Sequence, residues 1–115
     1  MRSPYVAAKW AAIGLAQTWA MELGPWNIRV NALCPGSVGG ERIDRVIYRD
    51  AAERGVTPDE IRTVYQRQSS LRDFVSPDDI AAMVCFLAGS GGRMISGQAL
   101  GIDGHTEGLA NWLDP

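Results

Sequence analysis

The sequence predicts an α/β fold on three observations. Four stretches have helix-start residues or apolar residues at helical spacing, two short stretches resemble strands, and helices separate these strands along the chain. The chain has 115 residues, 46% of them hydrophobic, so it forms at most one ordinary domain. Two strands do not make a sheet that covers such apolar helices. We therefore expect the later part of a longer α/β domain, whose remaining strands are absent or supplied by a partner.

The first predicted helix begins at Ser3 and Pro4. The serine hydroxyl can cap free backbone amides, and the proline follows where no amide hydrogen is needed. Gly24 and Pro25 end this helix. Between these residues nearly every helical face is apolar or small, which predicts a helix that is covered on more than one side.

Two short segments are predicted to be strands. The first is the apolar run 28–33, which ends at Cys34-Pro35-Gly36, and the second is 98–102, after a glycine-rich turn. Residues 37–40 between the first strand and the next helix include two glycines, which predicts a loop.

Three further helices are predicted from their ends and their apolar spacing. Apolar residues recur at helical spacing from position 43 until Gly55. Thr57 and Glu60 then have the spacing of a capping box, which predicts a short helix to about Gln68. Similar start chemistry at 76–79 opens a helix that ends near Gly89.

Composition argues against several classes of protein. Eleven basic and 13 acidic residues give a net charge of -2, so we expect no nucleic-acid partner. Cys34 and Cys85 match no metal-ligand spacing and indicate buried thiols in a reducing compartment. His105, the only histidine, is interpreted as a surface residue, so we expect no metal site. The most apolar stretch, 10–21, is too short and polar to span a bilayer, so we expect no membrane partner and a cytoplasmic location.

Tyr5 and Lys9 stand four residues apart in the first predicted helix, so both side chains project from one face. A phenol is a poor acid or base at neutral pH, but an ammonium held nearby stabilises its phenolate form. Such a tyrosine can exchange a proton with a carbonyl or alcohol oxygen while a hydride moves at carbon. An ordinary surface contact between the two side chains is the alternative interpretation.

With these residues the sequence resembles the short-chain dehydrogenase/reductase family. Tyr5 to Lys9 matches the family's Tyr-x-x-x-Lys motif. Other segments match in the family's order: Glu22-Leu23-Gly24, Ile28 to Gly36, Ser76 to Ala81 and Ser96 to Gly104. The resemblance implies the C-terminal part of a Rossmann-like, doubly wound parallel-sheet domain spanning 1–115, truncated so that the nucleotide-binding half is absent.

The resemblance also implies roles for individual residues. Tyr5 would be the catalytic acid/base, and Lys9 would stabilise its phenolate and hydrogen-bond the nicotinamide ribose. The segment Pro35, Gly36, Ser37 and Val38 would contact the nicotinamide of NAD or NADP, with the backbone around Val38 at the carboxamide and the small Gly36 allowing close approach. An ordinary Pro-Gly turn is the alternative for this segment. The substrate would be a small alcohol or carbonyl compound.

Several features of the family pattern are missing or open. The glycine-rich phosphate loop and the catalytic serine are absent, Ser3 lies too close to Tyr5 to serve, and Gly40 stands where many members have a threonine. Residues 41–70 occupy the place of the substrate lid, where Arg42, Arg45 and Arg49 share one face that meets solvent or an anionic substrate or carrier. Family members that reduce 3-oxoacyl groups on a carrier protein are one possibility, alongside sugar, steroid and small-alcohol dehydrogenases. The alternative function is an inactive interaction module that forms homo-oligomers or associates with a full-length relative.

Overall fold

The computed structural model describes residues 3–106, which group into two compact units. One unit contains 3–34 with 83–100, and the other contains 35–82 with 101–106. The helices and strands are α1 (Ser3–Leu23), β1 (Ala32–Pro35), α2 (Glu41–Arg54), α3 (Pro58–Gln66), α4 (Pro77–Ala88) and β2 (Ala99–Ile102). All four predicted helices are therefore confirmed.

The two strands pair in parallel. The Ala32 amide donates to the Gln98 carbonyl at 2.8 Å, and the Gly36 amide donates to the Ile102 carbonyl at 3.0 Å. Both positions advance by four residues, which is the register of a parallel pair. The predicted α/β class, with few strands and several helices, is confirmed.

The predicted start of the first strand was wrong. Residues 28–31 are not part of β1, because side-chain hydrogen bonds interrupt the backbone ladder there. The Gly97 amide donates to the Val30 carbonyl at 2.7 Å, but the neighbouring donors bond to or through side chains. The Val30 backbone amide donates to Ser96 Oγ at 3.2 Å, and the Asn31 side chain donates from Nδ2 to the Ile95 carbonyl at 2.9 Å. Asn31 Oδ1 also accepts from the Gln98 amide. Since a strand needs a continuous series of backbone bonds to its neighbour, β1 begins only at Ala32.

Helix α1 is largely exposed, contrary to the expected cover on more than one side. Ala16 is its one buried residue in the described chain, whereas Trp10 is 69% and Met21 is 74% exposed. The apolar composition of a helix shows what it can bury, but cover requires neighbouring elements. Asn27, in the left-handed conformation at φ 58°, ends the 3-10 turn that follows α1.

Helices α2 and α3 share a small core. Ile47 and Ile61 are fully buried and cluster with Ala51. Gly55 ends α2 at φ 68°, a left-handed conformation that favours glycine. The predicted capping box at the start of α3 is confirmed, and α3 ends at Gln66, two residues before the expected position.

Helix α4 begins with reciprocal hydrogen bonds between Ser76 and Asp79. The Ser76 amide donates to Asp79 Oδ2 at 2.8 Å, and the Asp79 amide donates to Ser76 Oγ at 3.1 Å. Hydrogen bonds from Ser76 hold the pKa of Asp79 below its ordinary value.

Cys85 on α4 is exposed and Cys34 is half-buried, so the expectation that both thiols are buried was wrong.

Neither a membrane-spanning helix nor a metal-binding cluster occurs in the described residues. None of the helices within 3–106 has the length and apolar character needed to cross a bilayer. Over the same range, no three His, Cys, Asp or Glu side chains come together as a ligand set.

Candidate active site

Tyr5 and Lys9 lie next to each other on the first turns of α1. Lys9 Nζ lies 5.4 Å from the centroid of the Tyr5 ring, over the ring, where the ammonium is attracted to the aromatic face. Tyr5 is 60% exposed. The helix therefore presents a phenol and a cation together on an accessible surface, as the four-residue spacing predicted.

The segment after β1 pairs with a residue that comes shortly before α4. The Val75 amide donates to the Ser37 carbonyl at 2.9 Å, and the Gly39 amide donates to the Val75 carbonyl at 2.8 Å. These bonds make a parallel bridge between Val38 and Val75. In this bridge Val75 uses both its N–H and its C=O to bond the residues on either side of Val38, so the N–H and C=O of Val38 itself make no bond to Val75. The Val38 backbone groups are therefore directed away from Val75, where a ligand can meet them.

Gly36 lies against the end of β2. A Cβ at position 36 would lie 2.9 Å from both Cα and Cβ of Asp103, closer than carbon atoms pack. This contact is a reason for glycine at position 36 that sequence reasoning missed, since it ascribed the small residue to the approach of a cofactor. A possible signal was the Asp103-Gly104 pair at the end of a predicted strand, which is typical of a tight turn.

A cavity of about 590 Å³ also lies in the second unit, beside the end of β2. Its lining combines apolar side chains with carboxylates: Leu71, Phe74, Ile102, Asp73, Asp79 and Asp103. These residues come from three separate segments, so no local sequence pattern identifies the cavity.

The expected lid region, 41–70, contains α2 and α3. Arg42 and Arg45 are exposed on α2, while Arg49 Nε lies 3.8 Å from a Glu53 carboxylate oxygen. An ion pair this exposed contributes little to stability. Gly40, at the start of α2, has φ 129°, which strains any other residue.

Comparison with known proteins identifies similar sequences over nearly the whole chain. The profile of a family described as enoyl-(acyl carrier protein) reductase matches residues 1–105. D-beta-hydroxybutyrate dehydrogenase from Rhizobium meliloti is 32% identical, and the match covers 90% of this chain and 40% of that protein. The 3-oxoacyl-(acyl-carrier-protein) reductase of Thermotoga maritima is 33% identical, over 87% of this chain and 36% of that protein.

Solved structures show the same likeness. A short chain dehydrogenase family protein from Francisella tularensis matches with a TM-score of 0.82 and 29% identity, over 87% of this chain and 41% of that one. An actinorhodin polyketide ketoreductase with NADPH matches at TM-score 0.79 and 29% identity, over 89% and 41% of the two chains. NAD+-bound xylitol dehydrogenase matches at 0.76 and 30% identity, over 89% and 41%. The chain thus spans about two-fifths of the length of these proteins, and the predicted fold is confirmed.

Proposed function

The chain belongs to the short-chain dehydrogenase/reductase family, and on this premise we propose that it carries the proton-transfer part of an NAD(P)-dependent oxidoreductase. In this proposal, residues 1–115 are the C-terminal portion of one Rossmann-like domain, and 41–70 form the substrate lid. The reaction interconverts an alcohol and a carbonyl compound. The protein is proposed to act in the cytoplasm and as a homo-oligomer.

The observation that carries the proposal is the pairing of Tyr5 with Lys9. In the reductive direction the Tyr5 hydroxyl gives its proton to the carbonyl oxygen, and in the oxidative direction the Tyr5 oxygen takes the proton from the alcohol. In this proposal Lys9, whose Nζ lies over the Tyr5 ring at 5.4 Å from its centroid, supplies the positive charge beside the phenol during this exchange. The exposure of Tyr5 lets a substrate oxygen reach the phenol.

The segment 35–38 fits the place of a nicotinamide. Gly36 and Pro35 bring the backbone to the carboxyl end of β1, where ligands bind in open α/β sheets. The Val38 backbone groups, directed away from Val75, can donate to and accept from a carboxamide. Ser37 is held by its carbonyl, which accepts from Val75. When bound, the nicotinamide supplies or accepts the hydride.

The comparisons support the choice of cofactor and substrate class. Similar structures hold NADPH in one case and NAD+ in another, so we propose NAD or NADP as the cofactor. Two similar proteins are named for beta-hydroxybutyrate and for 3-oxoacyl groups, and both of these compounds have an oxygen on the third carbon of an acyl chain. We therefore place small 3-hydroxy or 3-oxo acyl compounds first among the alcohol and carbonyl substrates to be assayed.

An interaction module is the second candidate function, and the exposed surface of α1 favours it. Trp10 and Met21 are eleven residues apart, which places them on the same helical face, and both are mostly exposed. Large exposed apolar surfaces mark sites of association. In this function the chain associates with another copy or with a full-length relative and performs no chemistry.

Replacement of Tyr5 by Phe tests the proposed enzyme, because it removes only the reacting hydroxyl. In the complete translation product of the gene, Tyr5→Phe is expected to lower kcat at least about a hundredfold, with either nicotinamide cofactor, against 3-oxoacyl substrates and simple ketones. Thr18→Val removes a hydroxyl from an exposed residue on the same helix, α1, and is the matched control, with kcat expected within about twofold of wild type.

Two further measurements separate the candidate functions. Circular dichroism should show the same helix content in both variants, and the fluorescence of NADH should respond saturably to the wild-type protein. A Tyr5→Phe variant that keeps more than about a tenth of the turnover rejects the catalytic role. A wild-type protein that binds no cofactor but forms a stable complex supports the interaction module.

A further inference from the structure

The segment 36–39 is held from two directions. On one side Val75 bonds to Ser37 and Gly39, as described above. On the other side Gly36 donates to the Ile102 carbonyl at 3.0 Å and lies against the Cα and Cβ of Asp103. The backbone position of Val38 therefore depends on where β2 ends as well as on Val75.

The Asp103 side chain fixes the backbone that contacts Gly36. Asp103 Oδ1 accepts from the His105 amide at 2.9 Å, and the Asp103 backbone carbonyl accepts from the Thr106 hydroxyl at 2.8 Å. A carboxylate that accepts from the amide two residues ahead closes an Asx turn, which holds the local backbone in one conformation. Asp103 is thus both the residue packed against Gly36 and the residue that shapes the turn at this point.

The turn at 103–106 is also hydrogen-bonded to the segment that follows α3. The Leu71 amide donates to the Gly104 carbonyl at 3.2 Å, and the Ser70 amide donates to the His105 carbonyl at 3.1 Å. Ser70 Oγ lies 2.6 Å from His105 Nδ1. With Gly104 at φ 62°, this turn has a defined conformation and gives Asp103 a fixed support.

We propose that Asp103 is a positioning residue for the cofactor-contacting segment 36–38, acting through the contact of its Cα and Cβ with Gly36. This inference rests on the proposed function, which assigns that segment to the nicotinamide. Loss of the carboxylate removes the bond to the His105 amide that closes the Asx turn, so the Cα and Cβ of residue 103 are no longer held in place against Gly36. The Val38 backbone groups then leave the position in which they meet the carboxamide. Small displacements of a binding group weaken a contact that depends on hydrogen-bond geometry.

The test compares Asp103→Ala with Asp103→Asn in the complete translation product. The alanine variant is expected to raise the dissociation constants of NADH and NADPH about tenfold, since the support of the segment is lost. Asparagine keeps an oxygen that accepts from His105, so its dissociation constants should stay within about twofold of wild type. Asp78→Ala removes an exposed carboxylate from the first turn of α4 and is the matched control, with no change in cofactor affinity expected.

A second readout needs no cofactor. Amide hydrogen exchange at positions 36–39 should be about tenfold faster in Asp103→Ala than in Asp103→Asn, because exchange reports local opening. If the alanine variant does not fold, Asp103→Glu replaces it; one added methylene moves the carboxylate away from the His105 amide, and the same rise in dissociation constants is expected.

The outcomes distinguish this inference from the function on which it rests. Equal cofactor affinity and equal exchange in Asp103→Ala and Asp103→Asn, with turnover still abolished by Tyr5→Phe, would falsify the positioning role and leave the enzyme intact. A lower melting temperature without any change in affinity also overturns it, since a purely structural role predicts that result. A wild-type protein with neither cofactor binding nor turnover rejects the proposed function itself.

Discussion

The guanidinium of Arg29 donates from Nη1 to the Leu87 carbonyl at 2.6 Å, and so joins the segment before β1 to the last turn of α4. The same nitrogen donates to the Gly92 carbonyl at 2.8 Å. A cation at this end of a helix satisfies carbonyls that have no partner within the helix and complements the helix dipole. The Arg29 side chain thus holds two carbonyls that lie 58 and 63 positions further along the chain.

Replacing Arg29 by Met should destabilise the protein, because methionine keeps an unbranched apolar stem and removes both hydrogen bonds. We expect a loss of about 1–3 kcal/mol in the free energy of unfolding, measured by urea denaturation. Arg93→Met, at an exposed residue, is the control and should change stability by less than about 0.5 kcal/mol. Equal stability of the two variants would show that the Arg29 bonds contribute nothing.

Alanine substitutions at two glycines should act in opposite directions. A Cβ at Gly92 would lie 2.4 Å from the Leu87 carbonyl oxygen, so Gly92→Ala forces backbone to shift and should cost about 1–3 kcal/mol. Nothing lies within 4 Å of a Cβ at Gly14, in the middle of α1, and Gly14→Ala should stabilise by about 0.5–1 kcal/mol. Thermal unfolding of both variants checks this, and the same sign for both contradicts it.

The core between α2 and α3 depends on two isoleucines. Ile47 and Ile61 are fully buried, so each Ile→Ala substitution should leave a cavity and cost about 2–5 kcal/mol. Tyr48, the next residue on α2, is 61% exposed, and Tyr48→Ala should cost less than about 0.5 kcal/mol. Chemical denaturation followed by circular dichroism measures all three; a Tyr48 effect as large as that of Ile47 would be the contrary result.

The capping box of α3 should make stability depend on pH. Hydrogen bonds from the Thr57 amide and hydroxyl, at 2.8 and 2.7 Å, hold the pKa of Glu60 below its ordinary value of 4.5. A carboxylate whose pKa is lower in the folded state stabilises the protein above the unfolded pKa, and this contribution disappears as pH falls through the folded pKa.

Melting temperatures from pH 7 to pH 3 test this dependence. The difference between wild type and Glu60→Gln should be largest near pH 7 and should vanish at the acid end. Glu22→Gln, at an exposed position on α1, is the control, and its difference from wild type should vary less with pH. A Glu60→Gln difference that is constant across this range would contradict the role of the carboxylate.

Lys9 should be needed for turnover through its charge. Lys9→Met keeps the length of the side chain and removes the cation near Tyr5, so kcat should fall about tenfold to a hundredfold, whereas Lys9→Arg should keep more of the activity. Steady-state kinetics with saturating cofactor measure the change. If methionine and arginine lower kcat equally, the charge is not the property that matters.

Local chemistry in the sequence was enough to predict much of the fold. Two helices begin with side chains that bond the first amides of the helix itself: Thr57 with Glu60 in α3, and Ser76 with Asp79 in α4. Each of these helix starts can therefore be recognised from four consecutive residues. Gly55 likewise ends α2 through its own backbone conformation. The pairing of Tyr5 with Lys9 follows from one turn of a regular helix, and the ordered motifs identified the family.

Partners distant in sequence determined the rest, and only the tertiary structure shows them. The start of β1 depends on bonds from Val30 and Asn31 to residues more than 60 positions away, and the need for glycine at position 36 arises from Asp103. The exposure of α1 likewise depends on which elements cover it, as its composition shows only that it can be covered. The helices and the pairing of Tyr5 with Lys9 were therefore predictable from sequence, because neighbours along the chain make those contacts. The tertiary structure decided where the strand begins and what supports the loop, because those contacts form only after the chain has folded.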